Sequence, residues 1–114
     1  MSSVVSLEWA KKLKEAGYPQ DSSKERYYRK SDGEYTLGKE KTSFYYKIPD
    51  YNIAAPCGCE LLEQLHEYTK VQIGADVDGK YSVIARQYDM YWSNESLADA
   101  CAMMYVWLHE EGYL

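Results

Sequence analysis

The chain has one phenylalanine, two histidines, three cysteines and three prolines in 114 residues. Each scarcity excludes something. Three cysteines, an odd number in a chain read as cytoplasmic, argue against a disulfide framework. Three cysteines and two histidines, with no Cys-x-x-Cys spacing, do not supply the four-ligand pattern of structural zinc. No apolar run approaches the roughly 18 residues that a membrane span requires. The opening MSSVVSLEWAKKLKEAG reaches its first charge at Glu8 and its lysines soon after, so it does not read as a signal peptide. A phosphate loop is also missing: GADVDGK has neither the spacing nor the strand-to-helix setting.

Tyrosine is what the chain has instead, with 13 copies. Tyrosine packs like an aromatic but needs a partner or water for its hydroxyl, so this number implies wide, half-wet surfaces rather than one large dry core. Length and composition are those of one soluble domain, residues 1–114. The net charge of −5 is unevenly spread. Residues 1–49 hold ten Lys/Arg against seven Asp/Glu, giving +3. Residues 50–114 hold three against eleven, giving −8. Either the two halves fold together and partly neutralise, or the acidic half attracts a basic partner and repels nucleic acid.

Periodicity predicts a first helix capped by Ser6, with Leu7, Ala10 and Leu13 as its apolar stripe and Trp9 and Ala16 as candidates to extend it, ended by Gly17 and Pro19. RYYRK and YTLG around Asp32-Gly33 predict a hairpin, and TSFYYKI a third strand ended by Pro49. DYNIAA reads as a loop. A short helix follows Pro56, from about residue 57 or 58 to 66 or 67, carrying Leu61, Leu62 and Leu65. KVQIGADVDGKYSVIARQY alternates strictly and turns at Asp78-Gly79. Its buried face is expected to hold Val71, Ile73, Ala75 and Val77, then Tyr81, Val83 and Ala85. DMYWSNES reads as a loop in which Ser93 or Asn94 caps a last helix bearing Leu97, Cys101, Met104, Tyr105 and Leu108. The order is α-β-β-β-α-β-β-α. This predicts an α+β domain with a small antiparallel sheet of about five strands and three helices over it.

Residues 54–69, AAPCGCELLEQLHEYT, hold the most chemically suggestive stretch. Cys57 and Cys59 begin a helix, where a thiol pKa can fall. His66, however, lies seven residues after Cys59, about 10 Å along a helix at 1.5 Å per residue, too far to share an ion or serve as base. The pair therefore reads as a helix start with Cys59 packed beneath it, and Cys101 as a small core residue. DVDG resembles part of a calcium loop, but Ala85 stands where the glutamate belongs. KERYYRK interleaves basic and aromatic residues as a single-strand nucleic-acid binder does. An edge hairpin has the same pattern, and the acidic net charge opposes nucleic acid. No catalytic residue, cofactor or metal is expected.

WAKKLKEAGYPQ, AAPCGCELLEQL and SLADACAMMYVWLHEEG resemble segments of short proteins of tailed bacteriophages and prophages. These segments cover 41 of the 114 residues. The resemblance implies a phage or prophage origin and a compact α+β domain, and it implies no activity. The expected function is that of a non-enzymatic accessory protein in the host cytoplasm that binds a host or phage protein. Tyrosine and tryptophan are enriched at interface hot spots, and Tyr88, Met90, Tyr91 and Trp92 are the candidate binding residues. Two alternatives stand beside this: a counter-defence protein that blocks a host nuclease or sequesters a nucleotide signal, and a small cysteine-dependent enzyme. A homodimer is expected if the strand at KVQIGADV or its hairpin partner lies at a sheet edge.

Overall fold

A computed structural model describes residues 4–20, 25–29, 33–39, 52–75 and 78–113. The elements run α1 (Leu7–Glu15), β1 (Glu25–Arg29), β2 (Tyr35–Lys39), β3 (Asn52–Ala54), α2 (Gly58–His66), β4 (Val71–Ala75), β5 (Tyr81–Ala85), β6 (Met90–Asn94) and α3 (Leu97–Glu110). A short 3₁₀ turn, Arg86–Tyr88, separates β5 from β6. The fold is α+β and every strand pair is antiparallel. The described strands divide into two sheets of three, ordered β2-β1-β3 and β4-β5-β6, where the sequence predicts about five in one sheet.

Two stretches read as loops are strands. β3 forms because Tyr27 pairs with Ile53 and Arg26 with Ala54, while Ile53 and Ala54 are buried. β6 forms because Val83 pairs with Trp92 and Ile84 with Tyr91. β3, with three residues, is too short to announce itself by alternation, and β6, MYWSN, does not alternate; both exist through pairing with a partner strand. The strand expected over residues 42–48 lies outside the described residues.

Local chemistry explains the helices. The Ser6 hydroxyl accepts from the Trp9 amide and caps α1. Ser96 caps α3 by accepting from the Asp99 amide, so the cap falls two or three residues later than Ser93 or Asn94. Asp99 is then turned outward, and its carboxylate accepts from the Ser6 amide at 2.8 Å. One side chain thereby joins the starts of α1 and α3. Gly79 takes φ +84°, the left-handed conformation that the β4–β5 turn requires.

The core gathers on α3. Ala98, Ala100, Cys101, Ala102, Met104, Tyr105 and Leu108 are buried, so all but the outer strip of this helix is enclosed. It meets α1, α2, β5 and β6. Leu13 of α1, Leu61 and Leu65 of α2 and Val83 of β5 complete the same cluster. Tyr18 closes one side, edge-on to Tyr105 with ring centroids 5.2 Å apart. Among the described residues no helix is long and apolar enough to cross a membrane.

Tyr27 ties the first sheet to this core by donating to the Val5 carbonyl at 2.7 Å. Burial raises its pKa, and the Asp99 and Glu25 carboxylates add to the rise. Tyr105 is raised the same way, first by burial. A raised tyrosine pKa means the fold favours the neutral phenol. This stabilisation is complete below pH about 10, the unfolded value, and is lost as pH rises through the folded value. Tyr27→Phe should cost about 1 kcal/mol at pH 7 through the lost hydrogen bond. The variant should also lose less stability than the parent between pH 8 and pH 11, which urea melts at the two values measure directly.

Candidate functional site

The residues that the sequence singles out fall at the β5–β6 corner. Successive residues of a strand point to opposite faces, and paired residues of antiparallel strands share a face. Ile84 pairs with Tyr91 and Gln72 with Ile84, so these three lie on one face of the second sheet. Val83, which is fully buried, pairs with Trp92 on the other face, toward α3. Tyr91 and Trp92, adjacent in sequence, therefore serve different surfaces.

Asp89 sets up the corner. It ends the 3₁₀ turn with φ 55°, in the left-handed region that aspartate tolerates better than most side chains. Its amide donates to the Arg86 carbonyl at 3.1 Å. The chain reverses there and returns as β6.

On the outer face Tyr91 is 69 % exposed, the most exposed of the large apolar side chains described. It borders an open hollow of about 760 Å³, lined also by Ser82, Ile84, Arg86, Asp89 and Met90. Arg86 is fixed across this face: its Nε donates to Gln72 Oε1 at 2.6 Å. The hollow thus presents an aromatic ring, an aliphatic floor at Ile84, a held guanidinium and a carboxylate at Asp89. Such a surface can grip a polar-apolar protein segment, with Arg86 available to carboxylates.

Tyr88 and Trp92 belong to the inner side. The Trp92 and Trp107 ring centroids are 5.4 Å apart, and those of Tyr88 and Trp107 are 5.6 Å apart. Tyr113 lies over Tyr88 at 4.5 Å. Of the four candidate residues, the structure brings Tyr91 and Met90 to the hollow and sets Tyr88 and Trp92 against α3. Ile84, Arg86 and Gln72 join the site although the sequence did not single them out. Strict alternation along SVIARQ places Ile84 opposite the buried Val83 and Ala85, and that was the available signal.

The cysteines have a structural explanation. Residues 52–57 form one extended run: β3 pairs with β1, the Pro56 carbonyl accepts from the Val5 amide at 3.0 Å, and Cys57 bridges Val4. Cys57 is the residue that precedes α2, and its side chain makes no capping bond. Its thiol pKa is raised by burial, with the Glu60 carboxylate adding to the rise, while the Glu60 and Cys59 amides pull the other way. That net direction is opposite to the one a nucleophile needs. Cys59 is exposed rather than packed beneath the helix, and burial pushes Cys101 up to about 12. Among the described residues no three His, Cys, Asp or Glu side chains gather to hold a metal ion.

No family model matches the chain, and neither a curated protein nor a solved structure matches it.

Proposed function

We propose that the chain is a binding protein with no reaction of its own, which docks on a partner protein through the outer face of its second sheet. The observation that carries this is Tyr91: a tyrosine ring 69 % exposed, beside half-buried Ile84 and above an open hollow. Interface hot spots are built from tyrosine, tryptophan and arginine, and Tyr91 and Arg86 stand together here. The resemblance of three segments to short phage and prophage proteins supports a phage accessory role, with a host or phage protein as partner. Tyr91→Ala, tested by capture from a bacterial lysate against the parent chain, should weaken retention of the specific partner about 10-fold or more. Tyr113→Ala, which removes an exposed tyrosine on the other side, should leave it unchanged. A partner held equally by all three chains removes Tyr91 from the function.

A second reading concerns self-association. Among the described strands β4 lies at an edge, and none of its residues, Val71 to Ala75, is charged. Ile73 shares a face with the buried Val83 yet is 49 % exposed, and Ala75 is exposed as well. The buried face expected for this strand is therefore open at its edge, because α3 packs over β5 and β6 instead. An uncharged edge strand is a template for pairing, and a two-fold dimer is the simplest closed form. Light scattering at micromolar concentration should give about twice the 13.2 kDa chain mass, reverting to one mass in Ile73→Lys. A mass that stays at 13.2 kDa on concentration rules the dimer out.

A further inference from the structure

All three tryptophans of the chain line one groove. Trp9 comes from α1, Trp92 from β6 and Trp107 from α3. The groove measures about 470 Å³ and is separate from the hollow beside Tyr91. Its remaining walls include Met103 of α3 and two carboxylate side chains, Glu15 of α1 and Glu110 of α3.

Indole is the best cation acceptor among the aromatic side chains, because its ring face carries the largest negative quadrupole. The protein already uses one of these faces. The Lys12 ammonium lies 4.3 Å from the Trp9 ring centroid, and Glu8 pairs with it at 3.3 Å. Glu8 thereby offsets the one lysine on the groove. Glu15 and Glu110 make no ion pair among the described residues. Lys11 of α1 does not line the groove and is turned to the Tyr35 ring at 5.0 Å. The groove thus holds the partly buried indoles of Trp92 and Trp107, the carboxylates of Glu15 and Glu110, His109, and a Lys12 already paired with Glu8.

We propose that this groove receives an arginine or lysine side chain of a basic peptide segment, with the cation over Trp92 or Trp107 and between Glu15 and Glu110. The apolar lining at Met103 and Val106 suits the aliphatic stem of such a side chain, and the volume exceeds that of a lone ammonium group. The proposal stands apart from the Tyr91 surface and does not depend on it.

Tryptophan emission reads the groove directly, since no tryptophan lies elsewhere in the chain. The probe is a hexapeptide of alternating arginine and glycine. Its control is the same peptide with citrulline, which keeps the shape of arginine and removes the charge. The arginine peptide should give a saturable change in emission whose midpoint rises with salt. The citrulline peptide should give none. The pair of exposed substitutions Glu15→Gln and Glu110→Gln should weaken the arginine peptide about 5-fold without unfolding the chain. The proposal is overturned by an unsaturated response to the arginine peptide at tens of millimolar, by an equal response to citrulline, or by full binding in the double variant. Choline binding as tightly as the arginine peptide overturns the peptide assignment and leaves a small-cation site.

Discussion

Leu61→Ala should lower the unfolding free energy by about 3 kcal/mol, a large part of the 5–15 kcal/mol typical of a domain. Leu61 is fully buried on the face of α2 that also holds Leu65 and Gly58. It belongs to the cluster that contains Cys101, Met104 and Leu108 of α3. Truncation removes three carbons and leaves a space that the surrounding helices close only in part. In a domain of this size the loss should lower the melting temperature by about 15 °C. Leu62, half-buried on the next position, provides the contrast: Leu62→Ala should lose less than half as much. Urea melts of both variants measure the difference, and equal losses would contradict the placement of α2.

Gly58→Val should cost about 2 kcal/mol, which explains the glycine between the two cysteines. A Cβ built on Gly58 would sit 3.3 Å from Leu97 Cγ and 3.7 Å from the Ala98 amide nitrogen. The first turn of α2 thus lies against the first turn of α3 with almost no gap. Alanine tightens this contact. The two further methyl carbons of valine must overlap Leu97 or the backbone beyond it, so the helices have to separate. Thermal melts of Gly58→Ala and Gly58→Val should rank parent, alanine, valine in falling order, with most of the loss at valine. A valine variant as stable as the parent would show that α2 and α3 do not approach here.

These two helices were legible in the sequence because their signals are local. Pro56 marks the start of α2 and Gly112 the end of α3, and Leu97, Cys101, Met104, Tyr105 and Leu108 repeat at helical spacing, although the cap of α3 lies at Ser96 and not at Ser93 or Asn94. The β4–β5 hairpin was legible for the same reason, since Asp78-Gly79 fixes the turn. β3 and β6 were not. Asn52–Ala54 is a strand through pairing with β1, and a partner distant in sequence leaves no local pattern. Met90–Asn94 pairs with the neighbouring β5, but the residues MYWSN do not alternate and the 3₁₀ turn between the two strands carries no hairpin signal. Ile73 shows a second limit. Alternation assigns it to the inward face of the sheet, but the cover on that face is set by where α3 lies, and α3 packs chiefly over β5 and β6, leaving Ile73 exposed. The candidate site divides for a related reason. Tyr88, Met90, Tyr91 and Trp92 look like one cluster when read as a loop, whereas the period of a strand separates Tyr91 from Trp92.

That separation is the centre of the functional account: Tyr91 faces outward, where we propose that a partner docks, and Trp92 faces the core side. Photo-crosslinking tests it most directly. A photoreactive phenylalanine analogue at position 91 keeps an aromatic ring on the exposed face, and the same group at position 113 or 37 samples other exposed sites of the chain. Irradiation in a bacterial cytoplasm should give one discrete adduct from position 91, absent from positions 113 and 37. An identical adduct pattern from all three positions, or none from position 91, would contradict a binding surface built on Tyr91.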